Sequence, residues 1–142
     1  MSEKTDLLAR IAEALDRLAP PPAPAPDWLS RPAYACDGRT VRPLDRIVAP
    51  PLGLLRGIDF QKETITGNVR RHAEGAAAHD MLLWGARGMG KSALLRASVA
   101  AAQAHAPERI ALVQVAQDAL DGLAGLFAEL GAVDRRFIVF ID

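Results

Sequence analysis

The hydrophobic positions of the chain fall into two rhythms. Leu7, Leu8, Ile11, Leu15 and Leu18 share one face at helical spacing, while Arg10, Glu13, Asp16 and Arg17 fall elsewhere, which predicts an amphipathic helix over residues 4–19. "APPPAPAP" follows, and proline, lacking a backbone N–H, stops the helix and favours an extended linker. The apolar stripe of this helix needs a partner, either its own domain or another subunit or protein. Further along, Ile65, Val69 and His72 or Ala73 mark a helix over 57–75, with Asp59 as its N-cap and Gly75 as its stop. "SALLRASVAAAQAHA" reads as a third helix, with Leu94, Leu95, Val99 and Ala102 in phase. "LDGLAGLFAEL" reads as a fourth, with Leu120, Leu123, Phe127 and Leu130 on one face, weakened by Gly122 and Gly125.

Short apolar runs predict strands at Met81–Trp84, Arg109–Val115 and Arg136–Asp142. Strand, helix, strand, helix, strand implies parallel pairing through crossovers, an α/β fold. Between the linker and this unit, "AYACDGRTV" carries an Asp37-Gly38 turn between β-prone residues, a hairpin signal. Pro32 and Pro43 limit its strands to edge positions. Trp28, Leu29 and Tyr34 are expected to anchor this arm to the body, ahead of the alternative of an aromatic ligand cage. The division is therefore helix 1–19, linker and hairpin arm 20–51, and main domain 52–142.

Composition changes this picture little. Half of the 142 residues are hydrophobic and the formal net charge is zero, so bulk charge gives no nucleic-acid signal. The one cysteine, Cys36, excludes an internal disulfide and fits a reducing cytoplasm, where the chain is expected to reside. His72, His79 and His105 lack metal-ligand spacing and are expected on the surface or at helix ends. No apolar run approaches membrane-spanning length, and the N-terminus is not a signal peptide.

The chemistry lies between the first strand and its helix. Gly85-Ala86-Arg87-Gly88-Met89-Gly90-Lys91-Ser92 matches G-x-x-x-x-G-K-[ST] without a gap. A polyphosphate packs several negative charges into a small volume and needs many inward donors. Backbone N–H groups supply them where glycine lets the chain curve without a Cβ clash, and the next helix adds its unpaired first-turn amides. Lys91 is expected to meet the β- and γ-phosphate oxygens, and Ser92 to ligate Mg²⁺. Arg87 and Met89 occupy variable positions, and Arg87 is expected to be exposed. Asp142, ending "FIVFID", follows the Walker B pattern and would hold the magnesium from the other side, since ligands of open α/β sheets collect at strand carboxyl ends. Asp118 and Asp121 read as solvated.

Through "LLRGIDFQKETITGNVRRHAEG", "LLWGARGMGKSALLRA" and "RFIVFID", residues 52–142 resemble the N-terminal part of an AAA+ P-loop ATPase, and more narrowly a bacterial family of predicted AAA+ ATPases of unassigned cellular role. The resemblance implies a three-layer αβα core with a parallel sheet, ATP and Mg²⁺ as cofactors, hydrolysis by the whole protein, an oligomer, and Ile58 near the adenine. It also implies parts beyond Asp142: an adjacent acidic residue, a polar sensor on a fourth strand, an arginine finger and a helical lid. The chain is therefore expected to be a fragment, with an open slot beside Met81–Trp84, marginal stability and poor turnover. The alternatives are a non-catalytic nucleotide-binding or protein-interaction fragment and, further off, a nucleotide kinase or GTPase.

Overall fold

The strand Ile110–Val115 (β3) is apolar on both faces, and this two-sidedness organises the chain. Ile110 and Leu112 point into one core with Ala33, Ile65, Val69, Ala73, Leu94, Leu95 and Val99. Ala111, Val113 and Val115 point into a second with Trp28, Tyr34, Ala119, Leu126 and Leu130. Residues 110–113 are wholly inaccessible to solvent. Complete burial of an aliphatic side chain of this size stabilises by about 1.5–3 kcal/mol, so β3 is the most strongly held strand.

The computed structural model describes residues 3–19 and 24–142. The sheet is four-stranded, with Ala33–Cys36 (β1), Val41–Leu44 (β2) and Arg136–Ile141 (β4) around β3 in the order β2-β1-β3-β4. β3 pairs in parallel with both β1 and β4, whereas β1 and β2 form an antiparallel hairpin, so the sheet is mixed but mostly parallel. Asp59–Ala73 (α2) and Lys91–His105 (α3) cover the first core, and Leu123–Gly131 (α4) covers the second. The layers are thus helix, sheet, helix, as expected for α/β.

Three expectations need correction. Met81–Trp84 is not a strand: it belongs to no ladder, and Leu82 and Trp84 are 89% and 87% exposed. An apolar run becomes a strand only when a neighbour accepts its backbone bonds, and among the described residues β4 pairs with β3 alone. β1 is an interior strand rather than an edge, because Pro32 precedes it and its carbonyl accepts from Leu112 N at 3.1 Å, so the missing N–H costs no ladder bond. Pro43 does lie on an edge strand, β2. Asp59 is the first helical residue of α2, not its cap. Ile58 holds the cap position, and the Asp59 carboxylate turns to Lys62 at 3.5 Å.

The other elements lie close to their expected places. Gly75, at φ +78°, ends α2 with its N–H on the His72 carbonyl, a left-handed stop that a side chain would strain. α4 is shorter than expected, preceded by a 3-10 segment Gln117–Gly122, and it buries Leu126 and Leu130 while Leu120 and Phe127 remain about half exposed. Glu3–Leu18 (α1) forms, with no residue buried. Residues 20–23 of the expected linker lie outside the described part. Among the described residues, no helix is long and apolar enough to cross a membrane. His105 ends α3 and His79 is exposed, while His72 is half-buried, its Nε2 at 3.0 Å from the Phe137 carbonyl.

Trp28 and Tyr34 do anchor the arm, with ring centroids 4.6 Å apart, and Trp28 Nε1 donates to Glu129 at 2.9 Å. Leu29 does not, being 60% exposed. The larger fastening is Arg135. Its Nη1 donates to the Trp28 and Arg31 carbonyls at 3.0 and 2.7 Å, and its Nη2 to those of Pro107 and Ile110 at 2.8 and 3.2 Å. One guanidinium thus ties the chain before β1 to the entry of β3. Burial lowers its pKa, opposed by its neighbours Tyr34, Glu108 and Asp27.

Replacing Arg135 with alanine removes all four of these bonds, the Ile110 carbonyl alone keeping a second side-chain donor in Gln103, and is expected to cost about 2–3 kcal/mol in urea unfolding. Arg135→Lys should recover less than half of that, since one ammonium cannot span the set. Stability unchanged in Arg135→Ala would contradict the clamp. At the hairpin turn, backbone N–H groups of Thr40 and Arg39 and the Thr40 hydroxyl donate to the Asp37 carboxylate, holding its pKa below the ordinary value of about 3.9. Because the folded value is the lower one, the turn's contribution is complete above the ordinary value and is lost as pH falls through the depressed one. An NMR titration of the Asp37 carboxyl should therefore give a midpoint below 3.9, and Thr40→Val should raise it.

Candidate functional site

The chain leaves α2 at Gly75, runs extended through Met81–Trp84, and curls through Gly85–Gly90 into α3. Asn68 pins the approach, its side-chain amide and carbonyl bonding the His79 backbone at 2.7 and 2.9 Å. Gly85, Gly88 and Gly90 have φ of +141°, +82° and +81°. These are conformations that cost an L-residue, so the spacing of the glycines follows the path of the backbone. A Cβ built on Gly88 or Gly90 meets nothing within 4 Å. Glycine is required here by the turn and not by crowding, and the space around the loop is open.

α3 begins at Lys91, so its first-turn N–H groups have no acceptor within the helix. Lys91 Nζ donates to the Gly85 and Ala86 carbonyls, both at 2.9 Å. The ammonium therefore lies over the loop at whose far end it begins. Arg87 and Met89 are exposed.

β4 delivers the other half. Its register against β3, from Ile110–Arg136 to Val115–Ile141, sets how far it projects, and Asp142 follows directly. Ser92 Oγ donates to Asp142 Oδ2 at 2.9 Å across fifty residues of sequence. Ser92 and Asp142 thus meet as the sequence suggested, beside Lys91, whereas Asp118 and Asp121 are exposed elsewhere. Ile58 lies at the start of α2, half-buried against the first core.

Sequence reasoning missed Arg96. It lies one turn beyond Ser92 on α3, a spacing that puts both on one helix face, and that was the available signal. Its Nη2 is 3.5 Å from Asp142 Oδ2 and 3.4 Å from Gln114 Oε1, and its guanidinium stands 5.8 Å over the Phe140 ring. Asp142 is thus held by a hydroxyl and a cation from one helix.

Between the extended run and β4 lies a cleft of about 490 Å³. Met81, Leu82 and Leu83 line one side, Phe137–Ile141 the other, and Leu95 and Phe127 are also in its wall. The loop starts from one lip and Asp142 from the other.

The whole is an α/β protein with a mostly parallel sheet and a glycine-rich loop opening a helix beside the carboxyl end of β4. It belongs to the family described as "Protein of unknown function (DUF815)", whose model matches residues 30–142. No curated protein and no solved structure matches the chain.

The positive φ angles make a prediction of opposite signs. Gly88→Ala and Gly90→Ala should each destabilise by about 1–2 kcal/mol. Gly125→Ala, within α4 and facing open space, should stabilise by about 0.5–1 kcal/mol. Urea unfolding of the three variants checks this; a loop built on ordinary backbone would show no such contrast.

Proposed function

We propose that the loop Gly85–Ser92, with Asp142, binds a nucleoside triphosphate, ATP foremost, as its Mg²⁺ complex, and that it serves an AAA+-type ATPase module. The observation that carries this reading is the 2.9 Å contact between Ser92 Oγ and Asp142 Oδ2 at the mouth of the glycine loop. The family adds a hint of AAA+ ATPase-like function.

The donor set fits the ligand. Among the described residues, no group of three His, Cys, Asp or Glu side chains could hold a metal alone. Ser92 and Asp142 together offer hard oxygen atoms but too few for a magnesium ion, which usually completes its octahedron with water and phosphate oxygens. A site that needs its ligand's oxygens is what a metal–nucleotide complex uses. Bound there, Mg²⁺ would neutralise charge on the phosphate oxygens.

The chain's own groups supply the rest. Lys91 already lies over the loop, bound to neutral carbonyls that an anion would outcompete, since an anion adds charge–charge attraction that a carbonyl dipole cannot match. The amides of Gly90, Lys91 and Ser92 at the start of α3 add fixed donors and the positive end of a 15-residue helix. Gly85, Ala86, Arg87, Gly88 and Met89 contribute backbone, and Ile58 is proposed as an apolar contact for the base. Arg96 orients Asp142 toward Ser92. Turnover, in this reading, belongs to the module as a whole.

Calorimetric titration with Mg·ATP should show uptake by the folded chain. Lys91→Ala should weaken it by roughly thirtyfold or more, the equivalent of about 2 kcal/mol. Ser92→Ala or chelation of magnesium should weaken it in the same direction, and a parallel GTP titration ranks the bases. Undiminished affinity in Lys91→Ala, or no uptake by well-folded protein, would overturn the assignment.

A further inference from the structure

The helix α1 presents a face that nothing else among the described residues covers. Leu7, Leu8, Ile11, Leu15 and Leu18 are 56%, 66%, 47%, 58% and 82% exposed. No residue of α1 is buried. Its apolar positions are more regular than amphipathicity requires. Leu8, Ile11, Leu15 and Leu18 are spaced three, four and three, the a/d alternation of a coiled-coil seam, which Leu7 widens at one end.

The flanking positions sharpen this. Taking Leu8 as a, the e and g positions within the seam are Leu7, Ala12 and Ala14. They are small or apolar and carry no charge. Glu3, Asp6, Arg10, Glu13, Asp16 and Arg17 all fall at b, c and f, facing away from the seam. A helix evolved to meet a charged partner surface would carry complementary charge beside its stripe; this one is matched to a surface as apolar as itself.

We propose that two copies of this chain associate through α1, with the helices antiparallel and Leu8 and Ile11 of one packed against Leu18 and Leu15 of the other. Charge selects the direction. In parallel register the d position one heptad before Ile11 would set Lys4 against Lys4 of the second copy. It would also bring the acidic first turns, Glu3 and Asp6, together. The antiparallel order carries Lys4 beyond the apolar seam of the other helix. It places the acidic first turn toward Arg17 in the last turn of the second copy and opposes the two helix dipoles. A 16-residue helix is about 24 Å long, so the seam is smaller than the interface of a permanent dimer. The association is accordingly weak and reversible, its dimer fraction rising over roughly tens to hundreds of micromolar chain.

Sedimentation of the full chain over that range should show a monomer–dimer equilibrium. Ile11→Asp should keep it monomeric throughout, weakening association at least tenfold. Because α1 buries nothing against the body, the fluorescence of buried Trp28 and the urea midpoint should be unchanged, separating lost pairing from lost folding. For direction, Leu8→Cys and Leu18→Cys variants, each with Cys36→Ser, should form a mixed disulfide when combined, well above what either forms alone. A monomer at every concentration, a dimer that survives Ile11→Asp, or preferential Leu8→Cys self-linking would each overturn the proposal.

Discussion

Burial of β3 on both faces is the constraint from which the rest of the architecture follows. A strand with Ile110 and Leu112 on one side and Ala111, Val113 and Val115 on the other has to be covered twice. Its backbone must also be satisfied on both edges, because water reaches neither. β1 supplies one edge and β4 the other. Since β1 lies more than seventy residues upstream, the segment before it has to be fastened into place. Gln103 does part of this, donating to the carbonyls of Pro32 and Ile110 at 2.7 and 2.9 Å, and Arg135 does the rest from the opposite side. Two long polar side chains thus close a junction that apolar packing alone could not specify, because carbonyl groups entering a core need donors.

How much of this was legible from the sequence depended on whether the determinant was local. The four helices were, since each carries its own periodicity, and the ends of α2 and α3 fell within two residues of expectation. β3 and β4 were readable because the apolar runs Ile110–Val113 and Phe137–Ile141, each short and bounded by polar residues, leave few alternatives. The hairpin turn announced itself through Asp37-Gly38. What failed was relational. Met81–Trp84 has the composition of a buried strand, but a strand is a bond between two segments, and composition names only one of them. The same blindness hid the place of β1 in the sheet: nothing in "AYAC" says that its neighbour is "IALVQV".

The site divides along the same line. The glycines, Lys91 and Ser92 were legible because one loop contains them all and the backbone demands of that loop appear directly as residue types. Asp142 was legible through its position after a strand, a topological argument that needs no knowledge of partners. Arg96 was not, because arginine on a helix is usually solvated and its role appears only once β4 brings Asp142 and Phe140 alongside. Arg135 was invisible for the same reason, its acceptors being scattered from Trp28 to Ile110.

The cleft beside the loop explains how these pieces depend on one another. Met81–Leu83 and β4 face each other across about 490 Å³ without sharing a ladder bond, yet one continues into Gly85 and the other into Asp142. The sheet places Asp142 through the register of β4 but does not hold the run that enters the loop. α3 joins the two halves: it carries Ser92 and Arg96 to Asp142 at its start and buries Leu94, Leu95 and Val99 in the first core behind them. Leu95 is both part of that core and part of the cleft wall. A shift of β4 reaches the loop through this helix, whereas the run Met81–Trp84 leads directly into the loop at Gly85. The geometry of the glycine loop is thus coupled to the packing of the cleft from both ends, through α3 on the side of Asp142 and through the chain entering Gly85, which Asn68 of α2 pins at His79.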